Sequence, residues 1–231
     1  MKKFFATICV ATILLTGCGD EETSEPEKNS TQAEENSSDK KISSDKKISA
    51  PETSRGDKKK IESETKFYVE RARDNYDKKN YREAANDATE AIRIDPKNVE
   101  AYICRAKINR ALGNNRDEIA DLSKVIELQP QNSDAYSSRG VAFSNSGSYD
   151  KAVADFDKAI SLKPNAVDNY ENRGLVYGNM GDFEKALTDF DKVISIKPTA
   201  EAYRRRAQCH EALGDSDKAQ ADFDKARELD Q

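Results

Sequence analysis

Tryptophan is absent from these 231 residues, methionine occurs twice and histidine once. Four cysteines and a single histidine are too few and too scattered for a zinc site or a disulfide framework. Cys104 and Cys209 are far apart in the chain, and the lone His210 forms neither a metal site nor a catalytic one. Positive charge is not in excess: 38 Lys and Arg stand against 43 Asp and Glu, a net charge of -5. That balance leaves no electrostatic footprint for nucleic acid. Glycine-rich phosphate loops and nucleophile elbows are missing as well. A long apolar run is also lacking, because the stretch at 4–15 falls short of the roughly 20 residues a membrane-spanning helix needs.

What the chain has in quantity is charge of both signs. Asp, Glu, Lys and Arg make up 35% of it, interleaved rather than blocked, which reads as solvated helix faces plus a disordered stretch. The N-terminus differs. Lys2 and Lys3 precede the apolar run, the layout of a secretory signal. The run closes on Leu15-Thr16-Gly17-Cys18. This resembles the lipobox of bacterial lipoproteins: an apolar residue, two small residues, then a cysteine. The resemblance implies a signal peptide at 1–17 and lipid attachment at Cys18, which becomes the new N-terminus. Two or more acyl chains anchor stably where one does not. It also implies the cell envelope. Gly19, rather than Asp, follows the cysteine, which points to the outer membrane facing the periplasm in a Gram-negative cell. In a Gram-positive cell the same anchor holds the outer face of the plasma membrane.

Residues 18–62 show no hydrophobic periodicity and repeat the hexapeptide SSDKKI at 37–42 and 43–48. A duplication of polar residues survives where packing does not constrain sequence, so the segment reads as a disordered linker. Its end-to-end distance as a coil is about 35–40 Å, enough to hold residues 63–231 away from a membrane.

Residues 63–231 are periodic. Pro96, Pro130, Pro164 and Pro198 recur every 34 residues, and a fixed period of that size means a repeat architecture rather than one globular core. With the proline at position 32, the units are 65–98, 99–132, 133–166, 167–199 and 200–231, the last reached after a one-residue deletion. Position 4 is always Tyr: Tyr68, Tyr102, Tyr136, Tyr170 and Tyr203. Position 8 is always small (Ala72, Ala106, Gly140, Gly174, Ala207), and position 24 becomes bulky along the chain (Ala88, Leu122, Phe156, Phe190, Phe223). Position 20 is Ala except at Glu118.

This pattern resembles the tetratricopeptide repeat (TPR), with its aromatic, small residue, Ala-x-x-x-Phe and terminal Pro at these spacings. The resemblance implies an all-α, right-handed solenoid of five helix-turn-helix units. Helix A spans positions 2–14 and helix B spans 16–30. Gly113, Gly147, Gly181 and Gly214 mark the turn between them, where repeat 1 has Lys79. Glu118, a carboxylate at a close-contact position, marks repeat 2 as locally irregular.

Two features emerge from comparing the units. Position 7 is Arg in all five (Arg71, Arg105, Arg139, Arg173, Arg206) and position 23 is Asp in all five (Asp87, Asp121, Asp155, Asp189, Asp222). In a hairpin turning at position 15 the two lie at one height, which predicts an Arg–Asp bridge in each. Positions 21 and 28 are apolar in four units but Gln220 and Arg227 in the fifth, and the first unit has Asp74 and Asn75 on its outer side. These read as polar caps on an array complete at five.

The family lines a concave groove with helix A, and the resemblance implies that a peptide or protein segment binds there. The lining positions here hold Arg73, Ile103, Lys107, Arg110, Ser137, Val141, Asn145, Leu175, Asn179, Arg204 and Gln208. The early groove is basic, the middle offers aliphatics with two amides suited to an extended backbone, and Asp134, Asp168 and Glu171 share the later part. A family variant that clamps a C-terminal carboxylate uses Lys at position 5 and Asn at position 9 of its first repeat. Val69 and Arg73 stand there, so that clamp is absent. The expected function is a membrane-tethered adaptor or scaffold of the envelope, not an enzyme, with an envelope protein or peptide as partner, no nucleic acid, no metal and no cofactor. Two rivals remain: a self-associating structural protein without a foreign ligand, and a hydrolase using carboxylates such as Asp168 and Glu171.

Overall fold

A computed structural model describes residues 54–231; the signal peptide, Cys18 and the linker up to residue 53 lie outside the described residues. Ten α-helices and no strand are found in this region. They are α1 (Arg55–Asp77), α2 (Tyr81–Ile94), α3 (Val99–Ala111), α4 (Asn115–Leu128), α5 (Ser133–Asn145), α6 (Tyr149–Leu162), α7 (Val167–Met180), α8 (Phe183–Ile196), α9 (Ala200–Ala212) and α10 (Ser216–Leu229). Consecutive helices pair as five antiparallel hairpins, and each second helix also packs on the first helix of the next hairpin. The expected solenoid of five helix-turn-helix units is what forms.

Local chemistry sets the helix ends. Asn98, Asn132 and Thr199 each accept a hydrogen bond from a backbone N–H three residues on, capping α3, α5 and α9. The first helices of the second to fifth hairpins begin at position 1, one residue before the expectation, and second helices begin at 17, one residue after it. Every turn between paired helices contains one residue in the left-handed region. It is glycine in four hairpins and Lys79, with φ 63°, in the first. Repeat 1 thus keeps the turn without the glycine, at a conformational cost of about 1 kcal/mol.

The largest departure from the sequence reading is α1. It starts at Arg55, so residues 55–62, assigned to the linker, are helical. The Ser54 hydroxyl accepts from the Asp57 N–H at 3.2 Å and the Asp57 carboxylate accepts from the Ser54 N–H at 3.2 Å. This reciprocal capping box satisfies two donors that would otherwise be orphaned.

The core is built on size complementarity. Ala72, Ala84, Ala152, Ala186 and Ala207 are completely buried, which lets paired helices approach closely. Where position 24 is Phe in the third and fourth hairpins, position 8 is glycine. A Cβ on Gly140 would lie 3.0 Å from the Phe156 ring, and one on Gly174 would lie 3.1 Å from Phe190. Phe156 is itself fully buried, worth roughly 1.5–3 kcal/mol.

The Arg–Asp bridge is present in all five hairpins, bidentate in each, with distances from 2.5 to 3.0 Å. The aspartates are buried and the guanidinium groups partly covered. Each arginine also lies over the tyrosine three residues before it, 4.9–5.9 Å from the ring centroid. A further link was not foreseen. The remaining Nη1 of Arg105, Arg139, Arg173 and Arg206 reaches back to the preceding hairpin, donating to Thr89, Ser123, Asp157 and Asp191. The bridges are thus rungs of one ladder joining hairpins as well as the helices within them. Arg71 has no preceding hairpin among the described residues and is the most exposed of the five at 46%.

At the C-terminal end, Gln220 and Arg227 are exposed and both bond to Asp224. The N-terminal end is mixed rather than polar. Asp74 is exposed and paired with Lys78, but Asn75 turns inward to Asp87 at 2.9 Å. Phe67 stands 54% exposed at a position where later repeats bury Ala101, Ala135, Asn169 and Ala202.

Candidate functional site

First helices of successive hairpins touch one another, α1 with α3 and α5 with α7, whereas no pair of second helices packs to that degree. The first helices therefore form the inner row of the array. None of the eleven side chains expected along that row is fully buried. Arg73, Lys107, Arg110, Asn145, Asn179 and Gln208 are exposed; Ile103, Ser137, Val141, Leu175 and Arg204 are half-buried.

Exposure alone does not make them equivalent. Three cations are already engaged. Arg73 pairs with Glu100 of the next hairpin. Arg204 pairs with Asp230 and Glu201. Arg110 donates from Nε to Glu118 Oε1 at 2.6 Å, its Nη2 lies 2.6 Å from the same oxygen, and Nη2 donates to the Ser138 carbonyl at 3.4 Å. The expected basic end of the groove is accordingly narrower than its composition: of Arg73, Lys107 and Arg110, only Lys107 has no carboxylate partner among the described residues.

Repeat 2 keeps the helix starts of the later repeats despite the expected local irregularity at Glu118. The Glu118 side chain is fully buried where other repeats have alanine, and only the groove arginine meets its charge. Its Oε2 has no hydrogen-bond partner. The signal was visible as a lone substitution, but its consequence for Arg110 depends on three-dimensional contact.

The middle of the face repeats itself. Val141 and Asn145 on α5 occupy the positions of Leu175 and Asn179 on α7. Both aliphatic side chains pack partly into the core, Val141 beside Phe156 and Leu175 beside Phe190. Neither asparagine amide is used by the described residues, leaving two donor–acceptor groups one repeat apart. Asp134 bonds to Lys163 at 2.7 Å. Asp168 is exposed and Glu171 half-buried.

Toward the first hairpin the face deepens into a hollow of about 240 Å³ between α1 and α3, lined by Arg73, Tyr76, Asp77, Ile103, Cys104 and Lys107. Tyr76, Asp77 and Cys104 were not foreseen as lining residues. Burial pushes the Cys104 thiol above its usual pKa, with Arg73 and Lys107 pulling it back down. Cys209, near the other end of the array, is pushed up to about 11 by burial. Both thiols are free and buried. His210 takes the position of Phe143 and Tyr177, with its Nδ1 3.7 Å from Asp215. No group of three or more potential metal ligands occurs among the described residues, and none of the helices described is long and apolar enough to cross a membrane.

Family models described as tetratricopeptide repeat match residues 69–133, 168–199 and 200–231, and one described as TPR repeat matches 143–181. Among solved structures, the crystal structure of a MamA protein is 30% identical, with a TM-score of 0.69 over 71% of this chain and 91% of that one. MamA residues 41 to the end from Desulfovibrio magneticus RS-1 give 19% identity and a TM-score of 0.69, over 72% and 95% of the two chains. YrrB, described as a TPR protein with an unusual peptide-binding site, gives 19% and 0.64 over 75% and 91%. The two matches at 19% identity show likeness of fold alone. No curated protein sequence matches the chain.

Proposed function

Because the chain belongs to the tetratricopeptide repeat family, we propose that it is a protein-interaction module whose inner face holds a partly extended segment of another protein. The observation that carries this reading is the tandem of Val141 with Asn145 and Leu175 with Asn179. Two aliphatic contacts and two unused amides recur at one repeat spacing, about 10 Å from the diameter of a helix. An extended chain covers that distance in about three residues. Backbone amides of such a segment meet the asparagines, and side chains about three residues apart meet the aliphatics. The description of YrrB as having a peptide-binding site is consistent with this use of the fold.

The lipobox-like Leu15-Thr16-Gly17-Cys18 extends the proposal to location. A lipid on Cys18 tethers the module to a bacterial envelope membrane, and the polar segment after it supplies reach. The module then acts without catalysis, raising the local concentration of an envelope partner at the membrane.

The test is a crosslinking pulldown from envelopes with the wild-type chain and a Lys107→Ala/Asn145→Ala/Asn179→Ala variant. These three side chains are exposed and bond to nothing else in the described residues, so the fold is undisturbed. Loss of the partners recovered with wild type supports the groove; an unchanged set contradicts it. Radiolabelled palmitate on wild type but not on Cys18→Ser checks the anchor.

Self-association is the second reading, and Phe67 favours it. An aromatic side chain 54% exposed beside Arg71, whose rung of the ladder has no preceding hairpin among the described residues, is a surface a second copy would cover. Light scattering that shows an oligomer abolished by Phe67→Ser would establish this reading.

A further inference from the structure

The hollow between α1 and α3 gives the inner face a definite end. At about 240 Å³ it is smaller than the roughly 300–1,000 Å³ of pockets that enclose whole small molecules. It suits one large side chain instead. Its chemistry is split. Ile103 and the Tyr76 ring supply apolar surface, with the neutral Cys104 thiol between them. Lys107 brings an ammonium that no carboxylate among the described residues neutralises, whereas Arg73 is shared with Glu100. Asp77 is the one acid among the lining residues. At Cys104 Arg73 and Lys107 each act more strongly than Glu100, and both favour a negative charge there.

The geometry points to this hollow as an anchor subsite. It takes a large apolar side chain of the bound segment, followed or preceded within a residue or two by an Asp or Glu that pairs with Lys107. This rests on the groove reading and sharpens it, giving the partner a recognisable feature. The apolar side chain displaces water from a partly enclosed site, and the carboxylate sets specificity by charge at the rim. Downstream, the segment runs past Val141 and Leu175 with its backbone within reach of Asn145 and Asn179. The subsite differs in kind from the C-terminal carboxylate clamp, because any internal acidic residue satisfies it.

A display library of random 12-residue peptides, selected on the full chain, tests this without knowledge of the partner. Wild type should enrich peptides with a large apolar residue beside Asp or Glu. Lys107→Glu should weaken their binding about tenfold and shift the selection toward Lys or Arg beside the apolar residue. Lys107 is exposed, so circular dichroism should find the variant folded. An enriched peptide should also slow alkylation of Cys104 by N-ethylmaleimide while leaving Cys209 unchanged. If the Lys107→Glu selection matches wild type but Asn145→Ala/Asn179→Ala abolishes it, the anchor is wrong and the groove stands. If neither variant changes the selection, or Cys104 is never protected, the anchor is overturned; unchanged selection in both overturns the groove reading with it.

Discussion

Glu118 and Arg110 show how one buried carboxylate decides what a neighbouring cation can do. Glu118 is fully buried and its charge is met by Arg110 alone, while Arg110 keeps 44% of its side chain in solvent. Removing the arginine strands a buried charge; removing the glutamate frees an arginine that solvent receives. Arg110→Ala is expected to cost about 2–4 kcal/mol, discounted because the guanidinium is partly in solvent, with Glu118→Ala costing less than half of that, both read from urea melts. The reverse order would contradict this reading of the pair. The Arg–Asp ladder makes a parallel contrast. Arg139 is 20% exposed over an Asp155 at 8%, whereas Arg71 is 46% exposed. Arg139→Met should cost about 2–4 kcal/mol, discounting the partly wet guanidinium, and Arg71→Met clearly less, because its guanidinium is largely in solvent. Equal melting midpoints for the two variants would show that the ladder is worth no more inside than at its end.

Among elements, the hairpins are fitted by paired sizes. Gly140 faces the fully buried Phe156 at 3.0 Å from where a Cβ would sit, so a methyl there forces the ring to shift within a packed core. Gly140→Ala should therefore destabilise by about 1–3 kcal/mol, despite alanine's better helix propensity. A gain in stability on thermal unfolding would show that α5 and α6 can separate freely. For α1, Ser54→Ala should cost about 0.5–2 kcal/mol and fray the first turns, visible as faster amide exchange over residues 55–62.

These elements also show what was legible in advance. The period, the turn glycines, the small-against-large pairing and the Arg–Asp register are local repeats, and each unit checks the others. The early start of α1 has no such check: residues 55–62 are charged and aperiodic like the linker, and only Ser54 and Asp57 at capping-box spacing betray the helix. Along the groove, register picks out the row of accessible positions. It does not reveal which cations are spent, because Arg73–Glu100 and Arg110–Glu118 are contacts between helices that depend on side-chain conformation.

For the whole molecule, five stacked hairpins leave one continuous inner face and two unlike ends, one polar at Gln220 and Arg227 and one aromatic at Phe67. The inner face is where accessible aliphatics and unused amides coincide, and that coincidence is the central claim. Site-specific photocrosslinking in intact cells tests it most directly. A photoreactive phenylalanine is placed at Asn145 or Asn179 on the inner row, or at Lys158 or Lys192 on exposed second-helix surfaces. Both inner-row positions should capture the same foreign protein, and Lys158 and Lys192 should not. Capture from Lys158 and Lys192 alone, or inner-row crosslinks only to a second copy of this chain, would contradict the claim.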